Sequence, residues 1–434
     1  MTAATNIFSK ERLVSEVNKA KNYPAIDPVE LAEKLSALAA IGATKEGGIS
    51  RHPYTEEEKQ AKALFKGWMQ AIGLRVREDH VGNLFGVLEG EDPSLPAVMT
   101  GSHLDSVPNG GAFDGPLGCL SSLLAVEAFI KQGIKLKRSI EVVVFVDEEG
   151  SRFKNGLFGS RVLMGEVTPG ELDHFYDEEG TSMLQAMKEQ GYEPEQMHLD
   201  KRTPEDIYAF IELHIEQGKI LESEGKNIGI VNGIAGASWR TYTFLGSTDH
   251  AGNTPMHMRK DTVAAAAEFI LEVEKLPRTY SDTAVATVGG VTVFPNGTNV
   301  IAGKTEVVVD ARDIHEESRN RMVAEMVEKA KEIARKREIE VKVDEGIAIP
   351  PVMVPDRIQQ TIAEAAERNG LSTRVLPSGA GHDAMIVGRH VPSGMIFVPS
   401  HNGKSHSPEE WTSLPDCVNG IQVLKETLEQ LANE

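Results

Sequence analysis

The chain has 434 residues, 40% of them hydrophobic, with 45 Lys and Arg against 65 Asp and Glu for a net charge of −20. That length exceeds what one hydrophobic core spans, so two domains are expected, and the acidic balance disfavours nucleic acid and anionic membrane surfaces as partners. Cys119 and Cys417 make no disulfide framework, no run approaches the roughly 20 apolar residues that span a bilayer, and Met1–Lys10 lacks the apolar core of a signal peptide, so a cytoplasmic protein acting on a small molecule or peptide is expected.

In chain order, Thr55 before three glutamates predicts a helix N-cap with a dipole-matched first turn, continued by Leu64, Trp68 and Ile72 as far as Gly73. Val76–Val87 reads as a hairpin turning near Gly82, and Pro96–Thr100 as a short apolar strand that delivers His103. Gly118–Phe129 predicts a buried helix and Ile140–Val146 a fully buried strand ending at Glu148 and Glu149. This alternation predicts an α/β domain with a mixed central sheet flanked by helices, whose ligands lie beyond the carboxyl ends of its strands. From about Gly233 the texture changes: strands at Ser238–Gly246, Ala284–Phe294 and Lys304–Asp313 accompany helices at Thr262–Leu276 and Glu317–Arg337. They predict an α+β sandwich over residues 233–346, inserted into a catalytic domain of residues 1–232 and 347–434. The first texture resumes with a helix near Ile358–Arg368, a strand Gly394–Val398 and a terminal helix Cys417–Leu431.

The chemistry-bearing residues cluster where apolar runs stop. His103 and Asp105 are two apart in Gly101–Gly115, so an extended chain puts them on one side, with the carboxylate placed to accept the ring N–H and orient the imidazole on a metal. Asp114 can bridge two ions, since each carboxylate oxygen can take one. Adjacent carboxylates at Glu148 and Glu149 after a buried strand are costly unless cations or shared protons relieve them, which lets one ligate while the other faces a nucleophilic water. His214, in Glu212–Gly218, and His406, in Ser405–Glu409, are candidate ligands whose ordinary alternative is a structural hydrogen bond. Likewise, the His103 turn can bond its own backbone, Asp114 can cap the following helix, and the two glutamates can form a solvated loop.

Taken together, in order and over nearly the whole chain, these blocks resemble the two-metal amidohydrolases related to the M20 peptidases: N-carbamoyl-L-amino acid hydrolases, allantoate amidohydrolases and β-ureidopropionases. The resemblance implies that His103, Asp114, Glu149, His214 and His406 hold two divalent ions (Zn, Mn, Co or Ni), with Asp114 bridging, Glu148 as general base and Asp105 orienting His103. It implies a substrate shell of Gln217, His250, Asn299, Arg312 and Gly381, in which Arg312 and Asn299 hold a carboxylate and His250 polarises the scissile carbonyl. A surface ion pair for Arg312 and a turn role for His250 are the alternatives. Ala302 stands where the family often has proline, and Lys154–Arg161 is closer to the carbamoyl-amino-acid type than to the aromatic-rich allantoate type. The implied activity is metal-dependent hydrolysis of the ureido C–N bond of an N-carbamoyl-L-amino acid, with an allantoate amidohydrolase, then a β-ureidopropionase or an M20-type dipeptidase or aminoacylase, as the alternatives. The implied assembly is a homodimer through the inserted domain, which acts as a lid and can lend its residues to the partner chain.

Overall fold

The computed structural model describes residues 8–434 and divides the chain into two compact units. The first comprises the chain through Asn232, Val354–Leu376 and His382–Glu434; the second comprises Gly233–Met353 and Pro377–Gly381. The second unit thus runs past the expected boundary at 346. Ile347 and Ala348 pair with Trp239 and Ser238, Val352 and Met353 pair with Ile234 and Gly233, and the Ala235 N–H donates to the Ser378 carbonyl. Gly381, expected in the catalytic domain, falls at the end of that short piece.

Four parallel strands form the middle of the first unit's sheet, in the spatial order Ile140–Phe145, Ala97–His103, Ile207–Ile215 and Ser393–Val398. Leu84–Leu88 and then Arg75–Glu78 extend it antiparallel on one side, the expected hairpin with Gly82 at positive φ, and Ile228–Ile234 runs antiparallel to Ser393–Val398 on the other. Ile140–Phe145 and Ser393–Val398 are buried at every residue, as strands covered on both faces must be. The helix Pro116–Gln132 starts on a proline at its first turn, ends on left-handed Gly133 and buries fourteen of its seventeen residues. Each large apolar side chain so buried contributes about 1.5–3 kcal/mol. It lies so close to the sheet that a Cβ on Gly118 would meet the Leu213 carbonyl at 2.4 Å.

In the second unit, Glu340–Val343, Gly236–Leu245, Lys304–Asp313 and Val285–Phe294 form an antiparallel sheet in that order. Thr262–Lys275 and Glu316–Lys336 pack on one face around Tyr242, Phe244, Phe269, Val307, Met322 and Met326. Alternating burial along Lys304–Asp313 records that one-sided cover.

Candidate metal centre

All five proposed ligands leave the first unit's sheet at the carboxyl ends of its parallel strands. His103 closes Ala97–His103, Glu148 and Glu149 follow Ile140–Phe145, His214 is the penultimate residue of Ile207–Ile215, and His406 follows Ser393–Val398. Asp114 arrives on the loop from His103, held against it by Gly115. At φ +80° that glycine takes a conformation other residues avoid, and a Cβ there would sit 2.5 Å from the His103 ring.

The ligand atoms of His103, Asp114 and His214 lie within 4.8 Å of one another, as do those of Asp114, Glu149 and His406, and those of His103, Glu148 and Glu149. Asp114 Oδ1 faces His214 Nε2 at 3.1 Å and His103 Nε2 at 3.6 Å, while Oδ2 faces His406 Nε2 at 3.2 Å. His214 Nδ1 donates to the Ile215 carbonyl at 2.9 Å and His103 Nδ1 to the Asp105 carbonyl at 3.1 Å, so in each neutral ring the Nε2 lone pair points into the site. His214 Nε2 is buried and, despite its 3.1 Å approach to Asp114, makes no hydrogen bond with usable geometry. An imidazole nitrogen and a carboxylate oxygen aimed at a common point are what a shared cation requires, so this donor set fits a divalent metal.

Electrostatics agree. Burial, with Glu149 and Asp383 nearby, holds the Glu148 carboxyl well above its usual range, and burial with Asp114 pushes Glu149 up to about 7. Burial opposes a charge on His103, but Glu148, Asp105 and Asp114 outweigh it and raise the ring well above an ordinary histidine; Asp114 does the same for His214. The Asp114 contact also lifts His406 to about 9. Asp114 itself resists burial because the histidines hold its carboxyl well below the usual range.

Several expectations need correction. The Asp105 carboxylate does not receive the His103 ring N–H, which goes to the Asp105 backbone carbonyl; Oδ1 stands 3.5 Å from Nδ1, and the two oxygens accept instead from the Glu148 and Glu149 amides at 3.2 and 3.1 Å. Asp105 therefore joins the His103 loop to the Glu148–Glu149 turn. Asp114 does not cap the helix, whose N-cap is Gly115 without a side-chain bond, and Glu148 and Glu149 are no solvated loop, with side chains 9% and 7% exposed.

Gln217, at positive φ, donates from Nε2 to Asp114 Oδ2 at 2.7 Å and to Ser405 Oγ at 3.2 Å. In the second unit, His250 Nδ1 accepts the Gly252 and Asn253 amides at 3.0 and 3.1 Å, so its turn role holds and leaves the proton on Nε2. Asn299 gives its carbonyl to the Ala251 amide. Arg312 makes the ion pair weighed from its sequence, with Asp310, and donates Nη1 to the Gly379 carbonyl at 2.7 Å; three of its five N–H groups are used and two stay available.

Sequence reasoning passed over three buried residues. Arg51 holds the His103–Ser106 loop from beneath through Leu104 O at 2.7 Å, with Leu38 O and Ile41 O as further acceptors, and burial pulls its pKa down to about 10. Glu212 accepts from Ser102 Oγ and the Ala384 amide, and its place two residues before His214 on one strand was the available signal. Glu410 lies under Asp114, where burial and that neighbour push its carboxyl up to about 7.

Residues 99–430 match the family model described as peptidase family M20/M25/M40. The chain is 42% identical over 402 residues to an N-carbamoyl-L-amino acid amidohydrolase of Geobacillus stearothermophilus, covering 93% of this chain and 98% of that one. It is 38% identical to an allantoate amidohydrolase of Escherichia coli K12, covering 93% and 97%. A crystal structure of an amidase of the hydantoinase/carbamoylase family from Burkholderia multivorans superposes with a TM-score of 0.89 at 34% identity, covering 95% and 99%. With imidazole and carboxylate groups able to hold metal at the strand ends, this chain belongs to the M20/M25/M40 peptidase family, among the amidohydrolases that include the N-carbamoyl-L-amino acid and allantoate enzymes.

Proposed function

We propose that this chain hydrolyses N-carbamoyl-L-amino acids at the ureido C–N bond, using two divalent ions. His103, Asp114 and His214 would hold one and Asp114, Glu149 and His406 the other. The observation that carries this reading is Asp114, whose two oxygens face different histidines, with Glu148 beside His103 and Glu149. When bound, divalent ions polarise a carbonyl and make water acidic enough to be a nucleophile near neutral pH.

The chain's own residues account for the rest. Glu148, buried and with its carboxyl raised, is suited to take a proton from water and return it to the leaving nitrogen. A C–O bond forms at the carbamoyl carbon, the bond to the amino-acid nitrogen breaks, and the carbamate released falls to ammonia and carbon dioxide. Asp105, through the Glu148 and Glu149 amides, fixes the backbone turn that carries that carboxylate. Arg312 offers its two remaining N–H groups to a substrate carboxylate with Asn299 beside it in role, His250 Nε2–H offers a donor to the scissile carbonyl, and Gln217 and the Gly381 backbone complete the substrate shell. We also place the chain in the cytoplasm as a homodimer of 47.2 kDa chains joined through the inserted unit, whose edge strand Val285–Phe294 has an open side.

An ammonia-release screen over carbamoyl amino acids, allantoate and β-ureidopropionate, with Zn, Mn, Co or Ni added back, tests the reaction. Carbamoyl amino acids should turn over fastest; preference for allantoate would assign the chain to that reaction instead. Glu148→Gln should retain its metal by elemental analysis yet lose about 10²–10⁴ in kcat, and full turnover in that variant would remove Glu148 as the base.

A further inference from the structure

Glu410 is 2% exposed and is bound on every side. Its Oε1 accepts the consecutive amides of Phe113 and Asp114 at 2.8 and 3.0 Å, and its Oε2 lies 3.0 Å from Ser405 Oγ, which in turn lies 2.8 Å from Asp114 Oδ2. One carboxylate thus grips the backbone that carries Asp114, and its second oxygen shares with Asp114 Oδ2 the single proton of one hydroxyl, which bonds to one of them at a time. Ser405 is the residue before His406, so the same contacts tie the two loops together across 296 positions of sequence.

The surroundings are shaped for this carboxylate. A Cβ on Gly111 would lie 2.1 Å from Glu410 Cδ, so only glycine leaves it room. The neighbouring Phe113 and Trp411 rings meet edge to face at 5.4 Å, with Arg12 stacked 3.5 Å from the Trp411 centroid, so the flanking backbone has little freedom. A surface turn reading Ser-Pro-Glu-Glu has no use for a buried acid, whereas a bridging carboxylate that must face two histidine sets needs its backbone and one oxygen fixed.

We propose that Glu410, acting through Ser405, is a positioning residue that sets the spacing of Asp114 and His406 and thereby the affinity of the Asp114–Glu149–His406 group for its divalent ion. This rests on the ligand assignment given under Proposed function. Glu410 itself is no ligand, because its oxygens are engaged by amides and a hydroxyl.

The test is a titration of the metal-free full chain with Mn²⁺, counting equivalents and dissociation constants, with near-ultraviolet circular dichroism as the fold control. Glu410→Ala should bind one equivalent within threefold of the parent and the second about 10–100-fold more weakly. Glu410→Gln should restore the second site to within about threefold, since its amide oxygen can take both backbone N–H groups and its NH₂ can donate to Ser405. A purely electrostatic or bulk-stability role would leave the glutamine variant as weak as the alanine one and overturn the proposal. Unchanged affinity in Glu410→Ala overturns it too. If that variant does not fold, Ser405→Ala decides: about tenfold weaker binding of the second ion supports the positioning role, and no change sinks it. His406→Ala is the reference: if it keeps both equivalents, the ligand assignment itself fails, whatever Glu410 does.

Discussion

The two units use sheets of opposite temper. In the first, two of the four parallel strands are buried at every residue and the other two at all but one, and every proposed ligand leaves from a strand end braced by buried groups such as Arg51, Asp105 and Glu410. In the second, helices cover one face only, and His250, Asn299 and Arg312 stand at exposed or half-buried positions with donors to spare. Under the proposed function the contrast has a purpose: metal ligands must not move, because an ångström of slack costs affinity, whereas groups that receive and release a small molecule must be able to exchange partners.

The sharpest way to break this contrast is to place the same methyl group in each sheet. In the first, a Cβ on Gly101 would lie 1.9 Å from the Val143 carbonyl on the adjacent parallel strand, so Gly101→Ala should cost more than about 4 kcal/mol and leave no folded protein on expression. A folded Gly101→Ala chain with normal metal content would show the sheet to be far more compliant than its packing implies.

Removing the metal sharpens the comparison next. Without it, Glu148, Glu149, His103, His214 and His406 all titrate higher than they would in an unfolded chain, Glu149 at about 7 against an ordinary 4.5 and His406 at about 9 against 6.5. The folded form then binds extra protons, so their contribution is present at low pH and is lost as pH rises through those values. Asp114, held low, opposes this only below its ordinary range. The melting temperature of the metal-free chain should therefore fall between about pH 5 and 9, and saturating divalent metal should flatten the slope. Equal slopes with and without metal would mean the raised groups are not its ligands. The smallest effect belongs to the second sheet: nothing lies within 4 Å of a Cβ on Gly289, and Gly289→Ala should raise stability by about 0.5 kcal/mol in denaturant unfolding.

What could be read from residues alone followed the same divide. Apolar runs that end in His or Glu mark strand ends, so the places of His103, Glu148 and Glu149 are legible in the residues, whereas His214 and His406 become candidates through the family resemblance; the change of texture at Gly233 coincides with the start of the second unit. Glu410 was not visible, because Ser-Pro-Glu-Glu looks like a surface turn and its partners Phe113 and Asp114 lie about 300 residues away. Arg51 was hidden for a similar reason: a lone arginine after a glycine-rich loop carries no sign that three carbonyls will surround it. The Asp105 carboxylate was assigned to its neighbour two residues away, although a turn from another strand supplied two better donors.

The strand Ser393–Val398 enters the sheet between Ile207–Ile215 and Ile228–Ile234, and His406 follows it. Ile207–Ile215 therefore lacks its neighbour on that side until residues 393–398 have been synthesised. His103, Asp114 and His214 precede His406 by nearly the length of a domain, so under the ligand assignment proposed above the Asp114–Glu149–His406 group would be the last to be completed as the chain is made.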